Sequence, residues 1–126
     1  MKGHRFTARL GFALAGLRAA WRQEKSLRTH ALATLLITVL LWWTHAPAMW
    51  WALMALTIGL VVSAELLNTA IEALADHLHP QQHDAIKLTK DVAAGAVLVS
   101  SIVALVVGAA FVWDQVLPWL GIKPMG

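Results

Sequence analysis

Between Ala31 and Ala64 the chain carries no Asp, Glu, Lys or Arg. Such a run is too long for one membrane crossing and slightly short of two, at about 20 residues each. The break falls at Thr44-His45-Ala46-Pro47, where Pro47 suits the first turn of a new helix. Trp42 and Trp43 precede the break, and Trp50 and Trp51 follow it. Four tryptophans at one end of a helical hairpin read as an interfacial aromatic belt. A first span is therefore predicted over 26–44, and a second over 47–77 that leaves the apolar stretch and continues into a charged extension. Another uncharged run, 92–113, is about 33 Å long as a helix, enough to cross a bilayer. It belongs to a helix predicted over 84–119, which opens with Asp84, Lys87, Lys90 and Asp91 and ends among Trp113, Asp114 and Trp119. Residues 77–82, with Pro80, form the turn before it.

Composition agrees. Hydrophobic residues make up 59% and charged ones 13%, against about 25% charged in soluble domains, and the mean hydropathy is +0.64. At 126 residues one domain is the default, giving an all-α integral membrane fold. There are no cysteines, which removes disulfides and thiolate chemistry. The net charge of +3 does not point to nucleic acid, because the basic residues cluster beside apolar spans. The first 28 residues are rich in arginine and contain no apolar core of a signal peptide. Residues 1–22 instead read as an amphipathic surface helix. Phe6, Leu10, Ala13, Leu14, Leu17 and Trp21 share a face, while Lys2, Arg5, Arg9 and Arg18 lie off it. Gly11 and Gly16 each weaken it by about 1 kcal/mol, so support from the lipid interface is expected. Ala93, Ala94, Gly95, Ala96, Gly108, Ala109 and Ala110 offer small surfaces for close helix packing.

Three spans put the termini on opposite sides. Seven of the ten Lys and Arg residues precede Ala31, Lys87 and Lys90 lie between the second and third spans, and Lys123 falls on the other side. The positive-inside bias places the N-terminus and the 65–91 region in the cytoplasm.

The second span ends in Ala64-Glu65-Leu66-Leu67-Asn68-Thr69-Ala70-Ile71-Glu72-Ala73-Leu74-Ala75-Asp76. Glu65, Asn68, Glu72 and Asp76 fall within a stripe about 80° wide on one helix face. Acids lined up at a membrane boundary repel one another and are costly to desolvate, so something cationic should compensate them. Mg²⁺ is one candidate, since it is held by one or two carboxylates plus substrate phosphates. Glu24, at the end of the first span, would lie at a depth similar to Glu72. The alternative is polar glue between helices, with Glu65, Asn68 and Glu72 paired to Arg18, Arg22, Arg28 or Lys90. Residue chemistry leaves both open. His77, His79 and His83 could bind a transition metal, but Pro80 breaks their geometry, and a polar interfacial loop is the better account. Soluble nucleotide-binding motifs are absent from the sequence.

The block from Glu65 to Asp76 resembles the signature of the prokaryotic diacylglycerol kinase family, which reads Glu-x-hydrophobic-Asn-Ser/Thr-small-Ile-Glu with an Asp four residues on. Gly16-Leu17-Arg18-Ala19-Ala20-Trp21 followed by Glu24 is similar to the family's N-terminal segment, and Lys90-Asp91 followed by Ala96-Val97 to the start of its third span. This chain departs at Lys25-Ser26-Leu27-Arg28-Thr29, where the family usually has an Ala-Phe-Arg-Gln-like stretch, and at Val92-Ala93-Ala94-Gly95-Ala96. The resemblance implies a membrane kinase that phosphorylates a lipid hydroxyl with Mg-ATP. It also implies a homotrimer with sites shared between subunits. Carried over, Glu65 is the general base, and Glu24 and Glu72 are the Mg²⁺ ligands. Asn68, Lys90, Asp91, Arg18 and Asp76 would serve substrate or nucleotide.

Phosphoryl transfer is mostly positioning and charge neutralisation, so it needs metal ligands, a base and cations rather than an elaborate fold. Three short helices cannot enclose ATP alone, which agrees with a site shared between subunits. The expected reaction converts diacylglycerol to phosphatidic acid. Undecaprenol is the alternative lipid within the family, and a small proton-coupled transporter cycling Glu65 is the alternative from another class. A structural packing module would tolerate amides in place of the acids.

Overall fold

A computed structural model describes residues 5–81 and 83–122. Lys2, Gln82 and Lys123, which entered the sequence reading, lie outside the described residues. The order is α1 (Phe6–Gln23), α2 (Lys25–Trp43), α3 (Ala48–Leu78), α4 (Asp84–Phe111), a π-helical turn over Val112–Val116, and α5 (Leu117–Trp119). Among the described residues there is no strand. Three of the helices are long and apolar enough to cross a membrane.

The boundaries differ from expectation at informative places. Glu24 alone separates α1 from α2, so the surface helix and the first span meet at one extended residue. Pro47 lies one position outside α3, as its N-cap in an extended conformation, and its carbonyl accepts from Trp50 N at 2.9 Å. The ring fixes φ near −60° and leaves the following residue free to start the helix. The last span is not one uniform helix to Trp119, because the π turn widens it after Phe111. Asp114 sits in that turn and accepts a hydrogen bond from the Trp50 indole at 3.0 Å, beside an edge-on contact between Trp50 and Phe111.

The turn that reverses α2 into α3 is specified by backbone hydrogen bonds. Ala46 N donates to Leu41 O at 3.1 Å and His45 N to Trp42 O at 3.2 Å. Together with the positive φ of 54° at His45 these make a Schellman motif, which satisfies carbonyls at the helix end. The same pattern closes α5, where Gly121 has φ 74°, its N–H reaches Pro118 O, and Ile122 N reaches Leu117 O. The two ends meet. Trp119 Nε1 donates to Thr44 O at 2.7 Å, and the Trp119 ring stacks on His45.

Packing is closest between α3 and α4; α2 lies more loosely on α3, and α1 touches α2 lightly. A small core of Leu41, Met54 and Phe111 forms at the tryptophan-rich end. Thr44, Thr57 and Ser100 are buried, and each hydroxyl donates to the carbonyl four residues back, which removes its unmet polarity. Most large apolar side chains, including Leu32, Leu56 and Leu105, remain uncovered by protein, as the lipid-facing surface of a span requires. The expected small-residue packing is realised at Ala93, which is buried. Gly95 and Gly108 are not used for close packing within the chain, since a Cβ at either would meet nothing within 4 Å. On α1 the predicted apolar face is present, with Phe6, Leu10, Leu14, Leu17 and Trp21 all exposed.

A left-handed residue with a branched Cβ is strained by about 1–2 kcal/mol. His45→Val is therefore expected to lower unfolding stability in detergent by about that amount. His45→Gly, which suits the backbone but gives up the Trp119 stack, should lose less; equal losses would show that the stack, not the backbone, fixes the turn.

Candidate active site

Counted from the Thr44–Pro47 turn, Ser26 on α2 and Glu65 on α3 are equally far out, and the antiparallel hairpin brings them together. Ser26 Oγ donates to Glu65 Oε2 at 3.2 Å. His30, one turn further along α2, places Nε2 at 3.3 Å from Glu65 Oε1. Each carboxylate oxygen thus meets one side chain from α2. The Glu65 side chain is 14% exposed and that of His30 28%, so the contact is largely withdrawn from solvent. Spaced four residues apart, Ser26 and His30 share one helix face. Neither was singled out in the sequence. A histidine escapes a search for charged residues, but hairpin register and four-residue spacing were both available to find the pair.

Further along α3, Asn68 Nδ2 donates to Glu72 Oε1 at 3.2 Å. Its carbonyl oxygen, Oδ1, is buried without a hydrogen-bond partner. A buried acceptor left open costs about 1–3 kcal/mol, and beside a carboxylate it adds a second hard oxygen suited to a cation. Asp76 pairs with Lys90 across the α3–α4 connection, and Lys87 with Asp91 at 2.7 Å along α4. Lys87, Lys90 and Asp91 line a groove with His79, Pro80 and His83.

Glu24 is half-buried at the α1–α2 junction, where its side chain does not cap α2. Arg18 is exposed on α1. Among the described residues no arginine pairs with the acids of α3, so the arginine pairing considered from sequence is not formed within the chain. Lys90 is engaged, but by Asp76 rather than by Glu65 or Glu72. The histidines of the connection do not gather as a metal set either: among the described residues no three His, Asp or Glu side chains form a cluster able to hold an ion. His79 and His83 do lie near each other, with ring centroids 5.5 Å apart.

Two apolar grooves end at this site. One, of about 310 Å³, runs between α2, α3 and α4 from His30 past Ile37, Met54 and Val61 to Gly108. The other, under α1, is lined by Leu17, Trp21, His30 and Leu66. A half-buried carboxylate therefore stands where apolar grooves meet a charged helix extension, a geometry able to receive a polar group carried on an apolar tail.

The family model for prokaryotic diacylglycerol kinase matches residues 11–112. The chain belongs to the prokaryotic diacylglycerol kinase family. It is 34% identical over 105 residues to the diacylglycerol kinase of Escherichia coli K12, covering 83% of this chain and 86% of that one. It is 36% identical over 107 residues to the diacylglycerol kinase of Synechocystis, covering 84% of this chain and 61% of that one. It is also 35% identical over 100 residues to the undecaprenol kinase of Bacillus subtilis, covering 77% of this chain and 80% of that one. The match includes every acid of the α3 stripe together with Arg18, Glu24, Lys90 and Asp91.

The Asp76–Lys90 pair is open to solvent, at 62% and 36% exposure, and exposed pairs contribute about 0.2–1 kcal/mol. A double-mutant cycle over Asp76→Asn and Lys90→Gln should give an unfolding coupling below about 1 kcal/mol. A larger value would make the pair a structural clamp rather than groups free to exchange partners.

Proposed function

We propose that the chain transfers the γ-phosphoryl group of ATP to the primary hydroxyl of a membrane lipid, with diacylglycerol as acceptor and phosphatidic acid as product. The observation that carries this reading is Glu65, a half-buried carboxylate with both oxygens held by side chains of α2, one of which, His30, lines an apolar groove. Family membership supports the chemistry, and the names of the E. coli and Synechocystis relatives support the lipid. A kinase family leaves the proton-coupled transporter without support.

The lipid keeps its tails in the apolar groove and presents its hydroxyl at the depth of Glu65. The carboxylate takes the hydroxyl proton as the oxygen bonds to the γ-phosphorus, and the bond from phosphorus to the bridging oxygen breaks to release ADP. Glu24 and Glu72 would hold Mg²⁺, and the open Asn68 Oδ1 beside Glu72 fits such an ion. When bound, Mg²⁺ supplies neutralisation of the phosphate charge. Lys90 and Asp91 line the polar groove and meet the nucleotide there, with Asp76 paired to Lys90 beside it and Arg18 assigned to nucleotide or substrate by family resemblance alone. Exchanging the solvent-open Lys90–Asp76 and Lys87–Asp91 pairs for nucleotide contacts costs little. The clustering of Lys and Arg at this end supports a site facing the cytoplasm of a bacterial inner membrane, where ATP is available. A homotrimer is part of the reading. Within one chain the carboxylates do not gather three together among the described residues, and Gly95, Gly108 and the α1 face are left open for neighbours or lipid.

Undecaprenol is the second reading, favoured by one observation: identity to the B. subtilis undecaprenol kinase equals that to the diacylglycerol kinases within about two percentage points. Both lipids offer a primary hydroxyl on a long apolar tail. Purified protein in mixed micelles with Mg²⁺ and labelled ATP, given each lipid separately, decides between them. Label should reach diacylglycerol; transfer to undecaprenol alone would keep the mechanism and replace the lipid. Glu65→Gln and Glu72→Gln are each expected to cut transfer by about a hundredfold or more while leaving the protein folded. Wild-type turnover in either variant removes the role given to that residue.

A further inference from the structure

We propose, resting on Glu65 as the base, that His30 is a positioning residue that donates from Nε2 to Glu65 Oε1 and, with Ser26, fixes the carboxylate for the lipid hydroxyl. An ionised carboxylate only accepts hydrogen bonds, so the Nε2 nitrogen facing it carries the hydrogen. Ser26 Oγ holds the other oxygen at 3.2 Å. A carboxylate offers about four lone-pair directions. One donor on each oxygen uses two of them, stops rotation about the last side-chain bond, and leaves one open direction on each oxygen for a proton. General-base catalysis requires that open direction to lie within hydrogen-bond reach of the reacting hydroxyl, and small misplacements are costly.

The choice of residue type fits this task. A lysine or arginine at position 30 would set a permanent cation against the base and compete with the hydroxyl for its lone pairs. A neutral imidazole donates a single hydrogen bond and leaves the negative charge on the carboxylate. The burial also fits, since both side chains are largely withdrawn from solvent and a contact there is screened little by salt or water. His30 further lines both apolar grooves that reach the site. It therefore stands beside the path by which a lipid headgroup meets Glu65. Thr34, one turn along, donates to the His30 carbonyl at 2.7 Å, but no other described side chain is within hydrogen-bonding distance of the His30 ring. The ring's polar contact within the chain is thus the carboxylate.

The test measures kcat and KM for ATP and diacylglycerol in mixed micelles for wild type, His30→Ala, His30→Gln, Ser26→Ala and Glu65→Gln, each first checked for helical content and thermal unfolding. His30→Ala is expected to lower kcat by about ten- to a hundredfold with KM for ATP changed by less than about twofold. His30→Gln, whose amide nitrogen can replace the Nε2 donor, should recover most of that loss. Ser26→Ala should fall between them. A wild-type kcat in His30→Ala, or a His30→Gln variant as impaired as His30→Ala, overturns the positioning role. A loss confined to KM assigns His30 to lipid binding and overturns it as well. If His30→Ala fails to fold, the comparison of His30→Gln with wild type carries the decision, and a kcat more than about tenfold below wild type overturns the role. Glu65→Gln separates the two levels: activity retained there removes the base itself, whereas an inactive Glu65→Gln beside a fully active His30→Ala removes only the inference about His30.

Discussion

A carboxylate placed on a helix at lipid depth must find hydrogen-bond donors, or it will not stay charged where it is. The α2–α3 hairpin meets that demand at Glu65 with Ser26 and His30, and much of the chain's design serves to keep the two helices in that register. The turn that sets it lies at the far end of the hairpin. There the Schellman bonds around His45, the indole of Trp119 on Thr44 O, and the Trp50–Asp114 bond tie α2, α3 and the end of the last span together. A slip of one residue at the turn would rotate the donors off the carboxylate. The aromatic end and the acidic end are thus parts of one arrangement, separated by the length of the spans.

Polar chemistry elsewhere is arranged by depth. The hydroxyls of Thr34, Thr38, Thr44, Thr57 and Ser100 donate to carbonyls of their own helices, so they add no uncompensated polarity to the apolar region. Past Glu65 the partners change from neutral or imidazole donors to an amide at Glu72 and then to lysine at Asp76. That order follows the falling cost of exposing charge as the helix leaves lipid for water.

Much of this was legible in the sequence because hydropathy and aromatic placement act strongly in a membrane. The uncharged runs located all three spans, and the tryptophans located the turn. The spacing of Glu65, Asn68, Glu72 and Asp76 placed four polar residues on one face of α3, the face on which the proposed site is built. What escaped were contacts between helices. His30 borders the uncharged run and is not counted among charged residues, so the search for a cation passed over it, although the register of the hairpin sets it against Glu65. The single-residue junction at Glu24 was drawn as a longer gap, because neither proline nor glycine marks it. The π turn also left no mark; within it Asp114 accepts from Trp50 across the bundle, a contact that local propensity does not encode. The glycines of α4 were assigned to packing from composition, which says nothing of the direction in which they face.

The overhang of α3 has a consequence for how two very different molecules can meet. From Glu65 to Asp76 the helix rises about 16 Å, about twice the thickness of one headgroup layer. Its inner end belongs to the oily phase and its outer end to the aqueous one. A reaction between a lipid and a water-soluble phosphate donor usually requires one partner to leave its preferred solvent. A straight rod studded with acids along its length removes that requirement, because each partner can be bound in its own phase while their reactive atoms approach at the seam. Under the proposed reading, the α3 extension serves as a wick across a phase boundary.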